Sequence, residues 1–199
     1  MVGNVQVMKR ATVALVFALG LLATAAAQEG PDRDAFGPAQ SAADIVRSTA
    51  YADIALLPAG MMNRDFEGTD LTKLVRYPGD SIVVAKLTGA QLLAALNRSI
   101  SLYPSPNSGF LQLSGIEVTF DPDKAPNERV VSVTVGDSKL DEATEYEVAM
   151  PISLARGGYG YSSIWDKKVI VRNLEPVTLE SALKGKRADE QSPRWKKSG

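Results

Sequence analysis

The sequence predicts an α+β protein with a single domain, in which helices pack on a mixed β-sheet. The strongest indication lies in residues 81–102, where a short β-branched run passes directly into an amphipathic helix. Residues 82–85 (Ile-Val-Val-Ala) carry no polar side-chain atoms, which is typical of a strand buried on both faces. Strict alternation in residues 130–135 indicates a second kind of strand, half buried. The chain has 199 residues, 45% of them hydrophobic, which suffices for one sizeable core.

The switch from strand to helix falls at Thr88. Its side chain can accept a hydrogen bond from the amide of Gln91, while Gln91 reaches back to the amide of Thr88, which is a capping box. The large apolar residues that follow recur at helical spacing, at Leu92, Leu93, Leu96 and Ile100.

The remaining elements are predicted from the same patterns of periodicity and punctuation by proline and glycine. In chain order they are an alanine-rich helix over 38–50, a strand over 51–57, a capped helical turn over 69–75, strands over 115–120, 130–135, 146–150 and 169–172, and a helix over 178–187. Gly136 and Asp137 form a hairpin turn. No internal repeat and no second domain are indicated.

The two ends of the chain are predicted to lie outside the domain, which covers residues 38–187. Residues 1–27 are typical of a secretory signal peptide, with Lys9 and Arg10 before an apolar run and three alanines at 25–27. A retained membrane anchor is the alternative, but the apolar run is short for a bilayer. Residues 28–37 are a leader, and 188–199 a flexible tail that frays in solvent. We therefore expect an exported protein, periplasmic or secreted, without stable membrane insertion.

The composition excludes several kinds of chemistry. The chain contains no cysteine and no histidine, so thiolate metal sites and a Ser-His-Asp triad are both impossible. Ser114 and Ser153 have no imidazole to activate them as nucleophiles. Removal of residues 1–27 takes away Lys9 and Arg10 and no acidic residue, so the mature chain is mildly acidic. This balance argues against nucleic acid as a partner.

Two features remain as candidate ligand contacts. The glycine-rich segment 157–161 either cradles an anion with its backbone amides or forms a tight turn, and it lacks the spacing of the known phosphate loops. Arg64, Arg76 and Arg156 lie beside predicted loops, where each either holds an anionic ligand or is a surface charge.

Six segments together resemble the C-terminal domain of the 5'-nucleotidase family, and they occur in the family's order. They are residues 43–47, 52–56, 78–84, 87–92, 109–115 and 157–161. The strongest matches are Leu-Thr-Gly-Ala-Gln-Leu at 87–92 and Gly-Phe-Leu-Gln-Leu-Ser-Gly at 109–115. The resemblance implies that a separate metallophosphoesterase domain holds two metal ions and the catalytic Asp-His pair. The C-terminal domain then binds the nucleoside, stacking its base between two aromatic rings.

The family's binding positions are altered in this chain. The segment Asn-x-Gly-Gly-Ile-Arg corresponds to residues 58–64, so its arginine is either lost at Asn63 or displaced to Arg64. The segment Pro-Phe-Gly-Asn corresponds to 77–80, which puts the stacking ring at Pro78 unless Tyr77 serves instead. The second ring falls on Ser153, and the aspartate of Gly-Gly-Asp-Gly-Tyr is Tyr159.

The resemblance thus implies a stand-alone recognition domain with no catalytic residue, no metal and no cofactor of its own. Its implied substrate-binding residues are Asn63, Arg64, Tyr77, Gly79, Asp80, Gly109, Phe110, Ser153, Gly157, Gly158 and Tyr159. The expected partners are a small, nucleoside-like ligand and a metallophosphoesterase made as a separate chain. Two alternatives stay open: a hydrolase with carboxylate-bound metal in the same cleft, and a structural envelope protein.

Overall fold

The computed structural model describes residues 30–198, so the predicted signal peptide lies outside the described residues. The helices are α1 (Gly37–Ala50), α2 (Gly89–Ile100), α3 (Ile152–Ala155) and α4 (Leu179–Leu183). The strands are β1 (Ile54–Pro58), β2 (Ser81–Thr88), β3 (Leu111–Ser114), β4 (Ile116–Phe120), β5 (Val130–Val135), β6 (Ser138–Lys139), β7 (Glu145–Pro151), β8 (Ile170–Thr178) and β9 (Trp195–Lys197). Short 3-10 turns lie at Ala59–Met61, Leu71–Lys73, Gly158–Gly160 and Lys167–Val169.

The predicted α+β class with a mixed sheet is confirmed, and a second sheet accompanies the first. The five-stranded sheet has the order β3-β1-β7-β2-β8, with β1 and β7 parallel and the other neighbours antiparallel. The four-stranded sheet has the order β6-β5-β4-β9. The strand predicted over 115–120 is β4, and the strand before it, β3, belongs to the five-stranded sheet. The two strands are separated by Gly115. Its φ of 74° is a left-handed conformation that favours glycine, and it turns the chain out of the first sheet.

Strand β2 lies inside the five-stranded sheet and is buried on both faces, as its sequence predicts. Val83 and Ala85 belong to the core shared with α2, whereas Ile82 and Val84 belong to the core shared with α1. All four side chains are inaccessible to solvent. Because successive residues of a strand point to opposite faces, this one segment contributes to both hydrophobic cores.

The capping box between β2 and α2 is confirmed. The Gln91 amide donates to Thr88 Oγ1 at 3.2 Å, and the Thr88 amide donates to Gln91 Oε1 at 3.0 Å. Both bonds satisfy amides that have no partner within the helix. The strand therefore enters the helix without an intervening loop.

The predicted frayed tail is wrong, because its described part is bound to the domain. Strand β9 pairs in parallel with β4, and the Trp195 side chain is only 3% exposed. The indole nitrogen donates to the Leu111 carbonyl at 2.8 Å, and the ring lies 5.1 Å from that of Phe110. The energy of burying an indole offsets the entropy lost in ordering the flanking polar residues.

The described part of the predicted leader also packs on the domain. Gln112 donates to the carbonyls of Pro31 and Asp34 at 2.9 and 2.7 Å, and it accepts from the Phe36 amide at 3.0 Å. The Phe36 side chain is buried. Residues 30–36 are therefore part of the folded unit, which corrects the boundary predicted at residue 38. No helix within residues 30–198 is both long enough and apolar enough to cross a membrane.

Candidate functional site

The centre of the candidate site is a hydrogen bond between Asp80 and Ser153. Strands β2 and β7 are antiparallel, with Ile82 opposite Pro151 and Val83 opposite Met150. Extending this register past the end of the ladder places Asp80 opposite Ser153. The Ser153 hydroxyl donates to Asp80 Oδ2 at 2.5 Å. The strand register therefore brings together two residues that are 73 positions apart.

The turn that carries Asp80 is held by backbone bonds. The Asp80 amide donates to the Tyr77 carbonyl at 3.1 Å, and the Leu179 amide at the start of α4 donates to the Asp80 carbonyl at 3.0 Å. The Glu180 amide donates to the Pro78 carbonyl at 2.9 Å. Gly79 lies within this turn. The Tyr77 side chain, at 52% exposure, is open to solvent beside it.

The glycine-rich segment forms a tight turn that presents Tyr159. Gly157 has a φ of 87°, and a Cβ on Gly158 would lie 2.6 Å from the Ser153 carbonyl oxygen. Tyr159 itself is left-handed, with a φ of 58°. Its ring lies over Gly60, where a Cβ would come within 2.8 Å of Tyr159 Cε1. The small residues are thus needed for close approach, and they bring the phenol next to Ser153.

The electrostatic environment keeps the Tyr159 phenol neutral. Burial raises its pKa above the ordinary value, and the nearby Asp80 carboxylate and Tyr77 raise it further. The Ser153 hydroxyl and the Arg76 guanidinium act in the opposite direction and do not cancel the rise in pKa. Tyr159 is therefore a hydrogen-bonding, stackable ring at neutral pH.

A pocket of about 540 Å³, lined by both cations and carboxylates, neighbours this cluster through Arg76. It is lined by Asn63, Arg64, Asp65, Phe66, Glu67, Lys73 and Arg76. The side-chain amide of Asn63 is already engaged within the protein, since it donates to the Lys73 carbonyl at 2.6 Å. Arg64 forms an ion pair with the buried Asp32, and Lys73 lies 4.0 Å from Asp70.

Arg76 differs from its neighbours in the pocket. In the part of the chain that the structure describes, its guanidinium has no hydrogen bond and no ion pair. From sequence it is only one of three arginines beside loops. Its position between the pocket and Tyr159 makes it the cation best placed to bind a ligand anion.

Two of the predicted binding residues have other roles. Phe110 is 1% exposed and packs on Trp195, so its side chain belongs to the core and not to the cleft. This corrects its prediction as a binding residue. Gly109 lies behind Tyr159, whose carbonyl oxygen would be 2.7 Å from a Cβ at that position. The Gly109 carbonyl accepts from the Tyr161 hydroxyl at 2.6 Å.

The described residues contain no cluster of metal-ligating side chains. Within residues 30–198 no group of three or more carboxylates, histidines or cysteines lies close enough together to hold an ion.

The sequence is similar to those of known nucleotidases. The family described as 5'-nucleotidase, C-terminal domain, matches residues 22–165. A 5'-nucleotidase-related protein of Glossina morsitans morsitans is 33% identical over 145 residues, which are 66% of this chain and 26% of that protein. Human 5'-nucleotidase is 32% identical over 99 residues, which are 45% of this chain and 17% of that protein. The chain thus spans about a quarter or less of the length of these curated relatives.

Solved structures agree on the fold. A 5'-nucleotidase precursor from Thermus thermophilus superposes with a TM-score of 0.68 at 24% identity, covering 83% of this chain and 36% of that chain. A putative 5'-nucleotidase from Staphylococcus aureus, in complex with alpha-ketoglutarate, gives 0.66 at 17% identity, covering 86% and 37%. The sequence match over residues 22–165, together with this shared fold, shows that the chain belongs to the 5'-nucleotidase C-terminal domain family.

Proposed function

We propose that this domain binds a nucleoside or nucleotide between the turn at residues 77–80 and the glycine-rich turn at 157–160. One observation carries the proposal: Tyr159 lies beside the Asp80–Ser153 pair and within electrostatic reach of Arg76. A stackable ring, a hydrogen-bonding pair and an open cation are thus adjacent. Several relatives are named 5'-nucleotidase, which supports a nucleotide as the ligand.

The side chains of the two turns suggest how the ligand is oriented. Tyr77 and Tyr159 offer aromatic surface to the base, and each stacking contact is worth about 1–3 kcal/mol. The Asp80 carboxylate repels a phosphate, whereas Arg76 attracts one. We therefore place the base at Asp80 and the phosphate toward Arg76.

Phosphoester hydrolysis is assigned in this proposal to a metallophosphoesterase outside the 199 residues. These residues contain no histidine, which the family's catalytic Asp-His pair requires. The domain would supply recognition, and the partner would supply the metal centre. We further propose that the protein is exported to the periplasm or secreted, as the composition of residues 1–27 suggests.

Isothermal titration of the purified protein with nucleosides and their monophosphates tests the binding proposal. A ligand at 100 times its dissociation constant should also stabilise the protein by about 2.7 kcal/mol. Tyr159→Ala should weaken binding at least 10-fold, the loss expected when about 1.4 kcal/mol of stacking is removed. Tyr51→Ala is the matched control, since Tyr51 is 89% exposed at the end of α1. Absence of binding by every nucleoside and nucleotide would contradict the proposal.

An activity assay tests whether hydrolysis requires a separate metallophosphoesterase. The protein alone, supplied with divalent metal and nucleoside monophosphates, should show no turnover above the rate without protein. Turnover that is lost in Tyr159→Ala would show that the cleft itself hydrolyses phosphoesters. The metal content of the protein, measured in the same preparation, would then identify a carboxylate-bound ion.

A further inference from the structure

The Asp80 carboxylate has one oxygen engaged and one open. Ser153 donates to Oδ2, and this is the only hydrogen bond to the carboxylate among residues 30–198. No lysine or arginine of that part of the chain lies within ion-pair distance of it. The other oxygen, Oδ1, is therefore an acceptor that has no donor among these residues.

The carboxylate is also fixed in place. The backbone of its turn is bonded to the start of α4 through the Asp80 and Pro78 carbonyls. The hydroxyl that orients it comes from Ser153, which the β2–β7 register places directly opposite. A ligand that donates to Asp80 therefore meets a preorganised acceptor, and little ordering entropy is lost on binding.

An acceptor of this kind discriminates between purine bases. Guanine presents two adjacent donors on one edge, the N1–H and the exocyclic amino group. Adenine pairs its amino donor with a ring nitrogen acceptor on either edge, and that acceptor would face the carboxylate. A buried or half-buried polar group that is left unpaired costs binding energy, so adenine is rejected.

We propose that Asp80 makes this domain selective for guanine over adenine, by accepting hydrogen bonds from the paired donors of the guanine edge. The inference rests on the proposed function, because it specifies which base occupies the cleft. The inference also gives a role to the aspartate at position 80, where the family segment Pro-Phe-Gly-Asn has an asparagine. An asparagine amide carries both a donor and an acceptor and suits an adenine edge, whereas an aspartate does not.

Isothermal titration with GMP, IMP and AMP tests this inference. GMP should bind at least 10-fold more tightly than AMP, because guanine turns two donors toward the open oxygen whereas adenine turns an acceptor toward it. IMP keeps N1–H and lacks the exocyclic amino group, so its affinity should lie between the two. Asp80→Asn should remove the preference or reverse it toward AMP. Asp137→Asn, a matched change of an exposed aspartate in the β5–β6 turn, should leave all three affinities unchanged.

The outcomes separate the inference from the proposed function. Equal binding of GMP and AMP, or a preference that persists in Asp80→Asn, would overturn the base selectivity and leave nucleotide binding intact. Failure of all three nucleotides to bind would overturn both. Should Asp80→Asn fail to fold, Ser153→Ala provides a second test. It leaves the carboxylate in place, so the guanine preference should persist with weaker overall affinity, and its loss there would overturn the selectivity.

Discussion

Two arginines show how differently this domain uses the same side chain. Arg194, 16% exposed in its side chain, donates to the Leu113 and Gln40 carbonyls, the Asp44 carboxylate and the Gln191 side chain. Arg76 is exposed and has no such partner among the described residues. A guanidinium whose donors are all met within the protein stabilises the fold, and one whose donors are open is available to a ligand. The same contrast holds for the two regions: the polar groups of the C-terminal segment are bonded within the protein, whereas those of the candidate cleft include donors and acceptors that are open to a ligand.

The largest effect expected at the C-terminal segment is that of Trp195→Ala. The substitution removes an indole packed between Phe110 and Phe120 and frees the Leu111 carbonyl. We expect a loss of about 3–5 kcal/mol in the free energy of unfolding, measured with urea. The control is Lys196→Ala on the same strand, whose ion pair with Glu117 is exposed and worth less than about 1 kcal/mol. A change below about 1 kcal/mol for Trp195→Ala would mean that the segment is not anchored.

The pair Arg194→Ala and Arg76→Ala tests the comparison directly. Arg194→Ala removes the donor to Asp44 Oδ2 and to the Leu113 carbonyl, so stability should fall by about 1–3 kcal/mol. Arg76→Ala should change stability by less than about 0.5 kcal/mol and weaken nucleotide binding at least 10-fold. Urea unfolding and isothermal titration on both variants give the four values. The reverse pattern would refute the assignment of the two side chains.

A smaller effect should separate Tyr161 from Tyr159, which lies at the cleft. Burial strongly raises the pKa of Tyr161 above its ordinary value of 10.0, since its hydroxyl is sealed against the Gly109 carbonyl. Above about pH 10 the unfolded chain loses this proton while the folded chain keeps it, so stability should decrease as the pH rises further. Tyr161→Phe should lower stability by about 1 kcal/mol at neutral pH and reduce the alkaline decline.

Urea unfolding of the native protein and of Tyr161→Phe between about pH 8 and pH 11 measures how stability changes with pH in each. This range spans the ordinary tyrosine pKa. Tyr159→Phe is the companion variant, and it should change the alkaline slope less, because its phenol lies at the cleft. Equal slopes for the native protein and Tyr161→Phe would show that the hydroxyl ionises without cost in the folded state.

Local patterns were sufficient for much of the fold. The β-branched run at 82–85 and the Thr88–Gln91 capping box predicted β2 and α2, because both depend on neighbours within four residues. The hairpin turn at Gly136 and Asp137 lies where it was expected, between β5 and β6. The strand β3 before Gly115 was missed, since a run of four residues is too short to show a clear periodicity.

The order of motifs along the chain determined the family, and the runs of alternating and helical residues determined the elements. Only the tertiary structure decided which side chains are buried or bonded within the protein and which are left available to a ligand. Trp195 lies among charged residues in the sequence and is buried because Phe110 and Phe120 form its pocket. Asp80 meets Ser153 because of a strand register, whereas no acceptor of the described residues lies within hydrogen-bond or ion-pair distance of the Arg76 guanidinium. Such pairings depend on distances between residues far apart in the chain, which no local pattern encodes.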